Sequence, residues 1–314
     1  MKRIVPILLV LLLIIIPISS TRAQSGPIRV GSKDFTESRI LAYMIILKLE
    51  DAGFEVEDKT NFGDTNANRE ALQGSVIDVY PEYTGTAISN FYNTIEWLEI
   101  PEELLYDDYG SYAFVSSLDA ALYDILWLNP SPANNTFAIA LTRDFSEEHN
   151  IVTMEDFAEY VNSGGEIYLA ADEDFLLRPD ALPAFEETYH FSLDGTQMFV
   201  IANAFPSITE RALADGVNGI NASHAFSTDG LIDALDLVIL EDTLQAQPIY
   251  NPVAVFRGEV VRNNPEIISL LNPIFASLDD ETLRELNAQV DVDELDPSAV
   301  ALDYLIENDF LGED

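Results

Sequence analysis

The sequence predicts an α/β protein of two lobes, joined by two crossings of the chain, with a cleft between them. Three observations carry that expectation. Short apolar strands alternate with amphipathic helices from residue 28 onward, the pattern of a parallel sheet with crossover helices. A turn-rich stretch with two prolines, Asn129-Pro-Ser-Pro-Ala-Asn-Asn135, interrupts that alternation, and a fresh strand follows it. A second proline-bounded stretch, Gln247-Pro-Ile-Tyr-Asn-Pro252, precedes another apolar strand, which reads as a return to the first lobe. At 314 residues and 48% hydrophobic content, the chain can bury a substantial core.

Residues 1–23 stand apart from that fold. Lys2 and Arg3 precede an apolar run over residues 4–18, and Thr21-Arg-Ala23 supplies small residues at its exit. A charged start, a short apolar middle and a small-residue exit describe a secretory signal peptide cleaved after about Ala23. A retained membrane anchor is the alternative, but the run is shorter than the roughly 20 residues that span a bilayer comfortably. The expected location is therefore exported, periplasmic or otherwise extracytoplasmic. The expected lobes are residues 27–130 plus 248–314 and residues 131–247.

The elements follow in order. Residues 28–31 are a strand, and Asp34 with Glu37 three positions on forms a capping box for a helix. That helix places Ile40, Leu41, Met44 and Leu47 at helical spacing and ends near Gly53. Residues 54–56 are a short strand, Arg69-Glu-Ala-Leu72 belongs to a helix ending at Gly74, and residues 76–80 are a strand. Residues 88–127 read as largely helical, with Trp97 and Trp127 in packing roles. Beyond the first crossing, residues 137–141 are a strand, 155–161 a helix and 166–170 a strand. Arg178-Pro-Asp180 starts another helix, and residues 221–229 form a loop. Residues 237–240 and 253–256 are strands, and helices at about 264–278, 280–289 and 296–308 finish the chain.

Composition narrows the function. Without the three cations of the leader, 12 basic residues face 55 acidic ones, a balance of −43. Repulsion from phosphate excludes nucleic-acid binding. Scattered acids of this kind form a solvated surface that keeps an exported protein soluble and monomeric. Cysteine is absent, which excludes disulfides, thiolate metal sites and a lipidated N-terminal cysteine. An enzyme should show a nucleophile with a base, or metal ligands. The three histidines, His149, His190 and His224, make no metal-binding pair, and there is no Gly-x-Ser-x-Gly and no phosphate-cradling loop. Of the three, His224 alone falls near a plausible site. No reaction, metal or organic cofactor is implied.

Four aromatics, Tyr83, Phe137, Phe226 and Tyr250, fall at strand ends or loops beside hydroxyls and turns. Singly, each fits core packing. Together with Gly31-Ser-Lys-Asp-Phe-Thr-Glu37, Tyr80-Pro-Glu-Tyr-Thr-Gly-Thr-Ala87, Arg178-Pro-Asp180 and Phe226-Ser-Thr-Asp229, they resemble the glycine betaine/choline/carnitine substrate-binding proteins of osmoprotectant ABC importers. The resemblance runs, with gaps, over nearly all of the chain from residue 28. It implies a two-lobed periplasmic-binding-protein (Venus-flytrap, type II) fold. Its ligand would be a quaternary amine, its partner a membrane ABC permease that also retains it at the membrane. The implied aromatic box is Tyr83, Phe137, Phe226 and Tyr250, and the implied carboxylate clamp is Lys33, Thr86 and Arg178. Physics agrees: a trimethylammonium donates no N–H bond, so aromatic faces attract it, while Lys and Arg suit a carboxylate. Two departures stand out. Box positions often held by tyrosine are Phe137 and Phe226, and an acid common before the third ring is Asn135. A binding protein for another zwitterion or amino acid is the rival reading, and an exported hydrolase the third.

Overall fold

The computed structural model describes residues 26–93, 95, 98–201 and 206–312. The expected leader, residues 1–23, and Trp97 lie outside the described residues. Two five-stranded mixed sheets organise the chain. The first runs β2-β1-β3-β10-β4, from β1 (Ile28–Gly31), β2 (Val56–Lys59), β3 (Val79–Tyr83), β4 (Ile125–Trp127) and β10 (Pro252–Arg257). The second runs β7-β6-β8-β5-β9, from β5 (Phe137–Thr142), β6 (Leu169–Ala171), β7 (Met198–Val200), β8 (Ala222–Phe226) and β9 (Leu237–Ile239). The chain passes from the first sheet to the second between β4 and β5 and returns between β9 and β10.

Neither sheet is wholly parallel, contrary to expectation. β1 pairs in parallel with β2 and β3, but β10 runs antiparallel to both β3 and β4. β4 carries the chain out of the first sheet and β10 brings it back, and the two lie side by side and antiparallel. In the second sheet β5 is likewise antiparallel to β8 and β9, while β6 is parallel to β7 and β8.

The helix Thr36–Asp51 packs on the first sheet with Ile40, Leu41, Met44, Ile45 and Leu49 fully buried. The other side of that core is built by Leu271, Phe275 and Leu305 from the closing helices. Asp64 caps the helix Thr65–Gln73 by accepting from the Ala67 amide, and Gly74 ends it.

Several local expectations are corrected. The Asp34–Glu37 capping box does not form: Phe35 is the N-cap residue and makes no side-chain cap bond, because Glu37 turns inward to buried donors. Arg178-Pro-Asp180 does not open a helix; Arg178 ends the short helix Glu173–Leu177, and the next helix is Leu182–Tyr189. Between 88 and 127, helix gives way to β4, so Trp127 is a buried strand residue. Most important, residues 221–229 are not a loop. β8 occupies Ala222–Phe226, and its Ala-Ser-His-Ala run lacks the β-branched residues that mark strands from sequence. Small residues suit it because it is a central strand flanked by neighbours on both sides.

Candidate functional site

The ends of β1 and β3 deliver the first half of the site. β1 stops at Gly31, and Lys33 follows two residues on. Its buried ammonium donates to Glu82 Oε1 at 2.5 Å and lies 4.9 Å from the Tyr83 ring centre. Burial pulls the Lys33 pKa down, and the Glu82 charge and bond oppose that shift. Glu82 also accepts from the Tyr80 hydroxyl at 3.0 Å and from the Tyr83 amide at 2.8 Å. β3 ends at Tyr83, where Thr84-Gly-Thr86 makes a single helical turn. Gly85 is required there, since a Cβ would sit 2.7 Å from the Tyr250 ring and 2.8 Å from the Ile249 carbonyl. The absent side chain is what lets Tyr250 reach the site.

The second sheet delivers the other half. Phe137 on β5 and Phe226 on β8 are register partners, which sets their ring centres 5.0 Å apart. Tyr250 meets Phe137 edge-on at 5.8 Å. Tyr83 joins this group through Phe35, whose ring lies 6.0 Å from Tyr83 and 6.5 Å from Phe226. Arg178 carries its guanidinium 4.9 Å from the Phe137 ring centre. Its Nε and Nη2 donate to Asp180 at 3.0 and 2.7 Å, and the Tyr250 hydroxyl donates to the same carboxylate at 2.6 Å. Burial works against the Arg178 charge, but the Asp180 bond and charge outweigh it and leave its pKa above the ordinary value.

All seven expected residues, Lys33, Tyr83, Thr86, Phe137, Arg178, Phe226 and Tyr250, line one cavity of about 360 Å³. Asn135 lines it too, and its amide donates to Glu37 at 2.8 Å. Both cations of the expected clamp already hold an internal carboxylate partner, which sequence reading did not anticipate. Nor did it assign site roles to Phe35, Asp172 or His224, and it read Glu37 as a helix-capping residue rather than an inward one. The fifth ring had a signal, an aromatic beside Lys33 at a strand end. His224 was flagged only by its neighbours, because alternation along an unrecognised strand could not be used to aim it. Acids so abundant gave Asp172 no signal at all, and the spacing that singled out Glu37 pointed to a helix cap.

Residues 26–307 match a family described as the substrate binding domain of ABC-type glycine betaine transport systems. The chain is 38% identical over 296 residues to the glycine betaine-binding protein YehZ of Escherichia coli (strain K12), covering 94% of each. It is 32% identical over 299 residues to a glycine-betaine-binding protein of Pseudomonas aeruginosa, covering 93% of this chain and 91% of the relative. Among solved structures, apo YehZ from Escherichia coli superposes with a TM-score of 0.72 at 37% identity, over 91% of this chain and all of that one. A glycine betaine/carnitine/choline ABC transporter structure superposes with a TM-score of 0.74 at 21% identity over 90% of this chain and 99% of that one, a likeness of fold.

Proposed function

The chain belongs to the substrate-binding domains of ABC-type glycine betaine transport systems, and from that membership we propose that it is an extracytoplasmic receptor delivering a quaternary-amine osmolyte to a membrane permease. The observation that carries the reading is the convergence of four aromatic rings from both sheets on the cavity that also holds Lys33, Thr86 and Arg178. A trimethylammonium group is attracted by ring faces, and exclusion of water in such a cavity strengthens the attraction. Tyr83, Phe137, Phe226 and Tyr250 form the cage; Lys33, Thr86 and Arg178 face the polar end of the ligand. Residues 27–130 with 248–314 act as one lobe and residues 131–247 as the other. Closing them completes the cage, so ligand capture and lobe closure are one event. The receptor works as a monomer after removal of residues 1–23 and reaches the membrane through its permease.

Calorimetric titration with glycine betaine, choline, carnitine and proline tests the reading. At least one quaternary amine binds, proline binds far more weakly, and Phe137→Ala weakens the amine by about three- to thirtyfold, the worth of one cation–π contact. Preference for proline, or an unchanged affinity in Phe137→Ala, overturns it.

A further inference from the structure

One wall of the cavity carries polar groups that the cage and its clamp do not use. His224 on β8 is 1% exposed, and neither ring nitrogen has a hydrogen-bond partner among the described residues. Its ring is stacked on Phe175 at 4.3 Å and 11°, which fixes the imidazole plane. Ring centres of Phe226 and Phe137 lie 5.1 and 5.5 Å away, so the imidazole continues the cage wall. Nδ1 points to Asp172, with Oδ1 at 3.6 Å. Asp172 follows β6, caps the next helix by accepting from the Phe175 amide at 2.8 Å, and lines the cavity. Unsatisfied buried nitrogens are costly, so their retention calls for a use.

Charge decides what that use is. Lys33 is matched by Glu82, and Arg178 by Asp180. Among the described residues Asp172 forms no salt bridge with a lysine or arginine; its near neighbour is an imidazole that burial, and then the Arg178 charge, keep neutral by holding its pKa down at about 3. The cavity therefore offers a ligand carboxylate only cations that are already paired. It offers a cation or a hydroxyl donor the Asp172 carboxylate beside the rings, which has no cation in hydrogen-bond contact; burial pushes its pKa up, and the Phe175 amide and the Arg178 charge act against that shift. A hydroxyl donates to a carboxylate in a strong, charge-assisted bond, whereas a ligand carboxylate placed there meets like charge.

We propose that Asp172 and His224 form the subsite that selects a quaternary ammonium bearing a hydroxyl tail, as in choline, over one bearing a carboxylate or no polar tail. This rests on the quaternary-amine reading and adds the ligand's second group to it. Asp172 accepts the hydroxyl. His224 directs Nδ1–H toward the same carboxylate, holding it against the cage wall, and becomes satisfied when the site closes on its ligand.

The test titrates the whole chain with choline and with ethyltrimethylammonium, which is choline without its hydroxyl oxygen. Wild type binds choline about tenfold or more tightly than the analogue, the worth of one hydrogen bond to a charged group. Asp172→Asn, which can still cap the helix, reduces that ratio to below about threefold. His224→Phe keeps the ring, removes both nitrogens and lowers the same ratio. A ratio near one in wild type, or a ratio untouched by Asp172→Asn, overturns the subsite while leaving the cage reading intact. Tighter binding of glycine betaine than choline also overturns it. Failure of all three amines to bind removes both.

Discussion

Glu37 shows what a single carboxylate does when it is fully buried and fully used. It accepts from the Tyr83 hydroxyl and the Asn135 amide on Oε1, both at 2.8 Å, and from Thr228 and Asn287 on Oε2 at 2.7 and 3.0 Å. Burial pushes its pKa up, and the four donors act against that shift by favouring the ionised form. The same bonds tether Tyr83 of the cavity to the segment after β8 and to the helix Asp280–Asp291. Glu37→Gln presents an NH₂ to donors that need an acceptor. We expect a loss of about 2 kcal/mol or more in urea denaturation, together with weaker quaternary-amine binding through a loosened Tyr83. Normal stability and affinity in this variant would show the four bonds to be dispensable. The sequence marked Glu37 as a helix-start residue but not as an inward one. Spacing along a chain places a side chain near a helix terminus; only its three-dimensional neighbours decide whether it faces backbone amides or a buried cluster.

Among the elements, Asp119 gathers three of them at one carboxylate. From the helix Asp108–Tyr123 it receives Arg69 Nη1 and Nη2 at 2.8 and 2.5 Å, the Trp127 indole N–H at 2.6 Å and the Tyr92 hydroxyl. The Arg69 guanidinium is also sandwiched 4.6 Å from Phe91 and 5.1 Å from Tyr123. Burial opposes the Arg69 charge, yet the Asp119 bond and charge outweigh it and raise its pKa. Removing one partner of such a pair leaves an uncompensated buried charge. Asp119→Ala should therefore cost about 3–5 kcal/mol in urea unfolding, while the apolar double replacement Arg69→Met with Asp119→Leu recovers much of it. Equal losses in the single and double variants would refute the pairing argument. At this scale most of the fold was legible. Apolar helices and continuous apolar strands such as β5 and β10 identified themselves, to within a few residues. β8 did not, because a central strand built of Ala, Ser and His owes its conformation to hydrogen bonds with β5 and β6 rather than to its own preferences.

Taken whole, the molecule joins its two sheets through acids as well as rings. Glu210 on the helix Pro206–Ala214 sits beside Asp229, which follows β8, and near Asp291 from the closing helices. Thr36 donates to Asp291 at 2.7 Å, and the Arg211 side chain donates to the Asp291 carbonyl at 2.7 Å, so residues of both halves of the chain meet here. Burial raises the Glu210 pKa from 4.5 to about 8 and pushes Asp229 up as well. A carboxyl that is favoured protonated in the folded chain contributes stability that is present below about pH 4.5 and is lost as the pH rises through about 8. Glu210→Gln keeps a neutral group there. Its stability should fall less than that of wild type between pH 5 and 8, and it should be the more stable of the two at pH 8, by thermal denaturation across that range. Parallel pH profiles would refute the assignment.

The sequence by itself determined the class of molecule. Alternating periods, two proline-rich interruptions and the motifs around Lys33, Tyr83 and Arg178 were enough for an α/β binding protein and for seven residues that line one cavity, because strand ends are where an open α/β sheet gathers side chains. Tertiary structure decided how those residues are spent. Glu82 reaches Lys33 only after the ends of β1 and β3 have been brought together, whereas Asp180 meets Arg178 from two residues along the chain; Gly85 admits Tyr250 only because the return strand β10 lies beside β3. The pairing of Phe137 with Phe226 is a matter of register, and so is the placement of His224 in the cavity wall. Burial, and pairings such as that of Lys33 with Glu82, depend on neighbours far apart in the chain, and a local pattern of residues carries no record of them.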